Sequence, residues 1–333
     1  MDNPLVSINI PVYKCENYII RCLESVKAQT YPHLETILVN DATPDDSVAL
    51  IERFMEENPQ LNMRIFHLDK NRGLSVVRNR GIEESDGKYI YMLDSDDYIT
   101  PDCIEKLVAN SELHQCEISV AETICEQSET GERMFLFKVK SAEKVLKGNA
   151  LIFERFVKGD WPVIGPNKLY LREFINRNKL RFVPGLYSQD ELWAFHCAEK
   201  LSSISFIDNV SYIYYLHGKS TIFNKKKINF ENHQTIVEWF SRSFHTATDP
   251  ERRKWIRKKI VNFKDLTLTM QWRSMREDGA YWKQNYRRLK KAPSLILADY
   301  LSSDFSAREK KANIYYNLPV ELGYRLFKKR YDG

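Results

Sequence analysis

Lys88-Tyr89-Ile90-Tyr91-Met92-Leu93-Asp94-Ser95-Asp96-Asp97 sets a short apolar run against three carboxylates in four positions. Such a cluster repels itself unless a cation or a metal-bound polyphosphate sits within it. The spacing Asp94-x-Asp96 lets two carboxylates converge on one divalent ion, and open α/β sheets bind their ligands beyond the strand ends. The competing structural reading is an acidic N-cap for a helix starting near Pro101. Capping takes one Asp, not three, so the metal reading is preferred.

Outward from this run, short apolar segments alternate with amphipathic ones. Strands are expected at residues 5–12, 35–40, 64–68 and 89–93, with helices over 17–29, 45–57 and 74–84. Asp45 and Asp46 suit the positive end of the second helix. This βαβαβαβ order predicts a parallel, doubly wound sheet with helices on both faces. A helix over 101–114 and strands over 118–125 and 133–140 follow, then mixed helix and loop to residue 222. Beyond 223, aromatic and basic residues mingle at helical spacing.

Four constellations fall at the strand ends. Pro11-Val12-Tyr13-Lys14 is a rigid turn whose ring is able to face a nucleobase. In Val39-Asn40-Asp41-Ala42-Thr43, Asp41 is suited to a base or ribose hydrogen bond, though a turn role is as good for it alone. Asn71-Arg72-Gly73-Leu74-Ser75 leads to Arg78-Asn79, where the arginines either meet a diphosphate or clamp the site's own carboxylates. The fourth is Asp94–Asp97. Each is weak alone; four on one edge are hard to assign to structure only.

With these residues in place, Leu5 to Asp102 resembles a family 2 glycosyltransferase of the GT-A fold. The matching pieces are Pro11-Val12-Tyr13 with Tyr18, Ser25-Val26 with Gln29-Thr30-Tyr31, Val39-Asn40-Asp41, Asn71-Arg72-Gly73, Arg78-Asn79-x-Gly81, Gly87-Lys88-Tyr89-Ile90 and Leu93–Asp97. The resemblance implies an NDP-sugar donor, usually a UDP-sugar, and Mn2+ or Mg2+. It places Asp41 at the base, Asp94 and Ser95 at the nucleotide, and Asp94 and Asp96 at the metal. The chain departs from the common Asp-Asp-Gly-Ser at Asn40-Asp41-Ala42-Thr43, which is expected to tune the loop and leave base binding intact.

Downstream, Asn167-Lys168-Leu169-Tyr170 and Phe182–Trp193 resemble the acceptor segment of bacterial surface-polysaccharide members. There a Glu-Asp pair carries the base; here Gln189 replaces the Glu and Asp190 keeps the Asp. A hydroxyl attacking the anomeric carbon in one displacement, which inverts that centre, needs a carboxylate to take its proton. Asp190 is the expected base, with Glu191 second and a plain helix N-terminal acid as the structural alternative. Trp193 is a candidate for stacking on a sugar face, or a core residue. His217 sits where related enzymes place a residue touching diphosphate or metal, and imidazole suits Mn2+; a structural His and the neighbouring Lys219 are the alternatives.

The chain has 333 residues, 43% hydrophobic and 29% charged, ordinary values for a globular enzyme. Six scattered cysteines without a Cys-x-x-Cys pair read as reduced thiols. The first residues lack signal-peptide character, and no apolar run is long enough to span a bilayer. A cytoplasmic location is expected. Residues 1–222 carry 25 basic against 33 acidic residues, and residues 223–333 carry 25 against 12. The expected division is a GT-A catalytic domain over 1–222 (nucleotide half 1–102, acceptor half 103–222) and a basic helical region over 223–333.

Basic clusters at 225–227, 252–259, 287–291 and 328–330 interleave with Trp239, Trp255, Trp272 and Trp282. Such a mixture suits peripheral contact with the anionic inner face of the plasma membrane, where lipid-linked acceptors reside; a solvated basic bundle accounts for it equally well. No nucleic-acid motif accompanies the charge, and the Gln-x-x-Arg-Trp motif of processive members is missing. The functional expectation is an inverting transfer of one sugar to a glycan or lipid-linked saccharide in cell-surface polysaccharide synthesis. The alternatives are a catalytically inactive sugar-nucleotide-binding or scaffold protein and a phosphohydrolase using Asp94-x-Asp96.

Overall fold

The computed structural model describes residues 3–140, 143–218 and 225–332. The chain divides into two compact units, residues 1–220 and 221–333. Lys219 and the expected division after residue 222 lie outside the described residues.

The first unit opens with β1 (Val6–Val12), α1 (Ile19–Lys27), β2 (Leu34–Asn40), α2 (Ser47–Glu57), β3 (Met63–His67), α3 (Leu74–Glu84) and β4 (Tyr89–Met92). It continues through β5 (Tyr98–Ile99), α4 (Cys103–His114), β6 (Ile118–Gln127), β7 (Arg133–Phe137), β8 (Val145–Lys147) and α5 (Asn149–Lys158). It closes with β9 (Lys168–Leu171), α6 (Arg172–Arg177), α7 (Gln189–Lys200) and β10 (Ser203–Leu216). Among the described residues, ten strands form one sheet, ordered β3-β2-β1-β4-β9-β6-β10-β5, with β7 on β6 and β8 on β10.

The expected parallel block is β3-β2-β1-β4. Beyond it the sheet is mixed, because β9 lies antiparallel to both β4 and β6. β1, β2 and β3 are each followed by a helix long enough for a crossover, whereas β9 enters from a loop without that constraint.

β1 is buried on both faces, as a central parallel strand must be. Val6, Ile8, Ile10 and Val12 pack with Ile19, Cys22, Leu23 and Val26 of α1 in the principal core. Leu23 is fully buried; its truncation to Ala is expected to cost about 2–5 kcal/mol. All six cysteines are free and buried. The acid serving the start of α2 is Asp45, which accepts from the Ser47 amide (3.3 Å) and hydroxyl (2.7 Å). Asp46 is the N-cap without a side-chain cap bond.

The second unit is helical: α8 (Lys227–Thr246), α9 (Pro250–Met275), α10 (Gly279–Leu289), α11 (Leu297–Leu301), α12 (Ala307–Tyr315) and α13 (Val320–Asp332). Trp255, Trp272 and Trp282 are buried here. Trp272 and Trp282 pack edge to face at 6.1 Å and both meet Phe327. Only Trp239 of the four is partly exposed. Arg257 and Lys258 are buried on Asp299 and Glu309. The expected interfacial aromatics are therefore mostly core, because apolar area buried between helices outweighs their interfacial preference. No described helix is long and apolar enough to cross a membrane.

Candidate active site

The ends of β1, β2 and β4 share one edge. Pro11 and Val12 are the last residues of β1, in register with Val39 and Asn40 of β2. Beyond them Tyr13 presents a ring 42% exposed. Asp41 is buried, and both its oxygens accept loop amides, Arg72 N at 2.7 Å and Gly73 N at 2.9 Å. Asn71 adds a bond to the Asp41 carbonyl at 3.3 Å. Asp41 thus braces the Asn71–Gly73 loop. The Arg72 guanidinium turns outward to Asp69 at 3.1 Å and supplies no charge to the cluster of acids.

The three acids after β4 part company. Asp94 Oδ1 accepts from Arg78 Nη2 at 2.8 Å. Asp96 Oδ2 lies 3.1 Å from His217 Nε2. Asp97, 1% exposed, accepts from the Tyr212 hydroxyl and from Tyr215 N, which ties the acidic loop to β10. Burial first, then the charges of Asp96 and Asp94, push the Asp97 carboxyl well up. Its role is structural. Ser95 is also buried, its hydroxyl beside the Cys15 thiol, so its side chain faces the core.

Arg78 projects from α3 and is buried between two carboxylates. Nη1 donates to Asp190 Oδ1 at 2.6 Å while Nη2 serves Asp94. Burial opposes its charge, but Asp190 and Asp94 more than compensate and hold it protonated. Of the two roles expected for the arginines, Arg78 has that of clamp. Gly81, one turn on, packs against Asn9, where a Cβ would lie 3.1 Å from the side chain. Asn79 pins both the amide and carbonyl of Phe182 at 2.8 Å, fixing the approach to α7.

Asp190, in the first turn of α7, also accepts from Gly165 N at 3.1 Å. A Cβ at Gly165 would come within 3.0 Å of Asp190 Oδ1, so the loop approaches this closely only as glycine. Both bonds fall on Oδ1; Oδ2 makes none among the described residues, and the side chain is 25% exposed. Burial raises the Asp190 carboxyl, Asp94 adds to this, and Arg78 and Gly165 oppose it. Gln189 sits behind, oriented so that its oxygen accepts from Arg78 Nη1 (3.3 Å) and its amide donates to Leu186 O (3.2 Å).

Trp193 is 1% exposed, stacks on Phe182 at 4.2 Å and donates to the Tyr170 hydroxyl. It belongs to the core, and the sugar-stacking role is overturned, because α7 turns that face onto β9. His217 is stacked on Tyr18 at 4.3 Å. Arg21, sandwiched near Tyr215 and Tyr98, donates to the Asp96 carbonyl at 2.8 Å. Sequence reasoning missed Arg21, Gly165, Lys168 and Tyr212 as parts of the site. Only the Asn167–Tyr170 motif carried a signal for any of them.

Among the described residues, no group of three His, Cys, Asp or Glu side chains is gathered as a metal centre. The donor chemistry nonetheless fits one cation. Asp96 is raised by burial and by the charge of Asp94, and it faces an imidazole nitrogen. A carboxylate so placed gains from a neighbouring divalent ion.

A mixed α/β sheet with carboxylates and a buried arginine gathered at its strand ends agrees with the GT-A fold that the resemblance implied. The chain belongs to glycosyl transferase family 2, whose model matches residues 7–177; it is a glycosyltransferase. EpsH of Bacillus subtilis (strain 168) is 30% identical over 247 residues, 72% of this chain and 68% of its own. Chondroitin synthase of Escherichia coli is 28% identical across 70% of this chain and 32% of its own length. S. aureus TarS 1–349 in complex with UDP-GlcNAc superposes with a TM-score of 0.73 at 17% identity, over 97% of this chain and 92% of that one. Mannosyltransferase PcManGT from Pyrobaculum calidifontis, in complex with GDP-Man and Mn2+, gives 0.58 at 14% identity, over 100% and 88%. At these identities the two solved structures share the fold.

Proposed function

We propose that the protein moves one sugar from an NDP-sugar, a UDP-sugar in the first instance, to a glycan or lipid-linked saccharide in cell-surface polysaccharide synthesis, with inversion. The observation that carries this is the asymmetry of Asp190: one oxygen is anchored by Arg78 and Gly165 while the other is open. An acceptor hydroxyl bonded to Oδ2 gives its proton there as it attacks the anomeric carbon. Arg78 and Gly165 oppose the upward push of burial and aim the carboxylate, and its burial makes it a stronger base than a solvated one.

Tyr13, Asp41 with its braced Asn71–Gly73 loop, and Asp94 form the nucleotide side. Arg72 and Ser95 take part through the backbone of their loops. Asp96 and His217 would hold Mn2+ or Mg2+, with Asp94 adjacent. When bound, the ion offsets charge growing on the departing diphosphate. The named ligands of TarS and PcManGT support a nucleotide-sugar donor, and the likeness to chondroitin synthase supports a polysaccharide product. Membrane contact through the second unit rests on its charge excess, since most of its tryptophans are core.

Thermal shift against nucleotides, sugar nucleotides and simple phosphate esters, with and without Mn2+, tests this reading. A ligand at 100 times its Kd adds about 2.7 kcal/mol of stability. Manganese-dependent stabilisation by UDP or another NDP is expected, and Asp96→Asn is expected to abolish the manganese dependence. No response to any nucleotide would return the scaffold reading; preference for simple phosphate esters would return the phosphohydrolase.

A further inference from the structure

Lys168 is 3% exposed at the start of β9, and its ammonium donates to the carbonyl of Ile164. The next atom pair of that same peptide is the Gly165 N–H, which donates to Asp190 Oδ1 at 3.1 Å. One amide unit therefore joins an ammonium to the carboxylate proposed as the base. A cation on the carbonyl oxygen polarises the amide and strengthens its N–H as a donor. The following carbonyl, Gly165 O, is held by the Tyr170 hydroxyl at 2.9 Å, and Trp193 donates to that hydroxyl at 3.2 Å. Two side chains of β9 thus hold the Ile164–Gly165 segment in place.

We propose that Lys168 is a positioning residue that sets the ionisation and aim of Asp190 through the Ile164–Gly165 peptide. The inference rests on Asp190 being the base, and it assigns a role to a side chain buried behind that carboxylate. Burial pushes the Lys168 ammonium down to about 7, so its charge is adjustable near neutral pH. The groups facing it are Asp190 and Cys197 of α7, which favour the charge, and Arg78 of α3, which opposes it. Around Asp190 stand Arg78, Asp94 and Gly165.

Two variants separate anchoring from charge. Lys168→Gln keeps an N–H donor for Ile164 without charge; Lys168→Met removes both. Carboxyl-13C NMR of aspartate-labelled protein, with the Asp190 signal assigned by its loss in Asp190→Asn, reads the titration without any substrate. Both variants are expected to raise the Asp190 midpoint, by an amount on the order of one pH unit. An unchanged midpoint in Lys168→Gln overturns the proposal. Should Lys168→Met not fold, Lys168→Gln alone decides.

Hydrolysis of a UDP-sugar found by thermal shift gives the kinetic check. The acidic limb of kcat is expected to move to higher pH in Lys168→Gln, with donor KM unchanged. A raised midpoint with hydrolysis and transfer untouched in Asp190→Asn would leave the relay intact and remove Asp190 as base, so the two failures are distinguishable.

Discussion

Two buried arginines show how differently the two units use the same group. Arg257 in the helical unit is bidentate on one carboxylate: Nε meets Asp299 Oδ2 at 2.6 Å and Nη2 meets Oδ1 at 2.8 Å. Ile296 N adds a third bond to Oδ2, and Asp299 is 2% exposed. Arg78 in the sheet unit divides its two terminal nitrogens between Asp94 and Asp190, each about a quarter exposed and each with an oxygen left open among the described residues. The first pair is closed and has nothing further to offer. The second places one guanidinium between two carboxylates while leaving each able to take another partner. Buried ion pairs are weak evidence of stability or function in themselves; the number of open acceptor sites distinguishes these two.

The sharpest way to break that comparison is Asp190→Asn. Transfer is expected to fall by about 10²–10⁴-fold, the range for a lost general base, with nucleotide affinity retained. Initial rates and calorimetric titration with the nucleotide check both halves, and a rate near wild type would place the base elsewhere. Asp299→Ala should act in the opposite sense. It strands the Arg257 charge, costing about 3–5 kcal/mol in urea unfolding, with kcat of the folded protein unchanged. Lost turnover at full stability would erase the contrast.

A finer probe is Gly165→Ala, whose methyl group presses on Asp190 Oδ1. Roughly tenfold lower kcat with little change in Tm is expected, since small misplacements of a reacting group cost rate before stability. The helical unit has a probe of its own in Lys264, fully buried on α9 with no hydrogen-bond partner for Nζ among the described residues. Burial pushes it from 10.5 down to about 8. Below about pH 8 folded and unfolded chains both hold the proton, and the fold bears the full cost of the charge. Between there and 10.5 only the unfolded chain holds it, so stability rises with pH. Lys264→Met should therefore stabilise more at pH 6 than at pH 10, as read by Tm. An equal gain at both would place the ammonium in contact with water.

Much of the catalytic edge was legible in the residues. The alternation of apolar and amphipathic segments located β1 to β4 and α1 to α3 to within about two residues, because each segment satisfies its backbone locally and shows its buried face in its period. Motif order likewise brought Asp41, Arg78 and Asp94 to one edge. Other roles were not legible. Nothing local distinguishes Asp96, facing His217, from Asp97, tied to Tyr212 and Tyr215 of β10, a strand more than a hundred residues away. Trp193 and the buried tryptophans of the second unit stayed open between surface and core for the same reason: burial is decided by what packs opposite.

The sequence by itself determined the parallel βα framework, the family resemblance and the list of charged groups available at the strand ends. These follow from periodicity and short-range chemistry. Only the tertiary structure decided which of those groups work together. β9 entered antiparallel beside β4 and carried Lys168 and Tyr170 to the Ile164–Gly165 segment. α7 delivered Asp190 to Arg78, 112 residues away in the chain. Which oxygens of a carboxylate remain open depends on partners that meet only when the chain is folded.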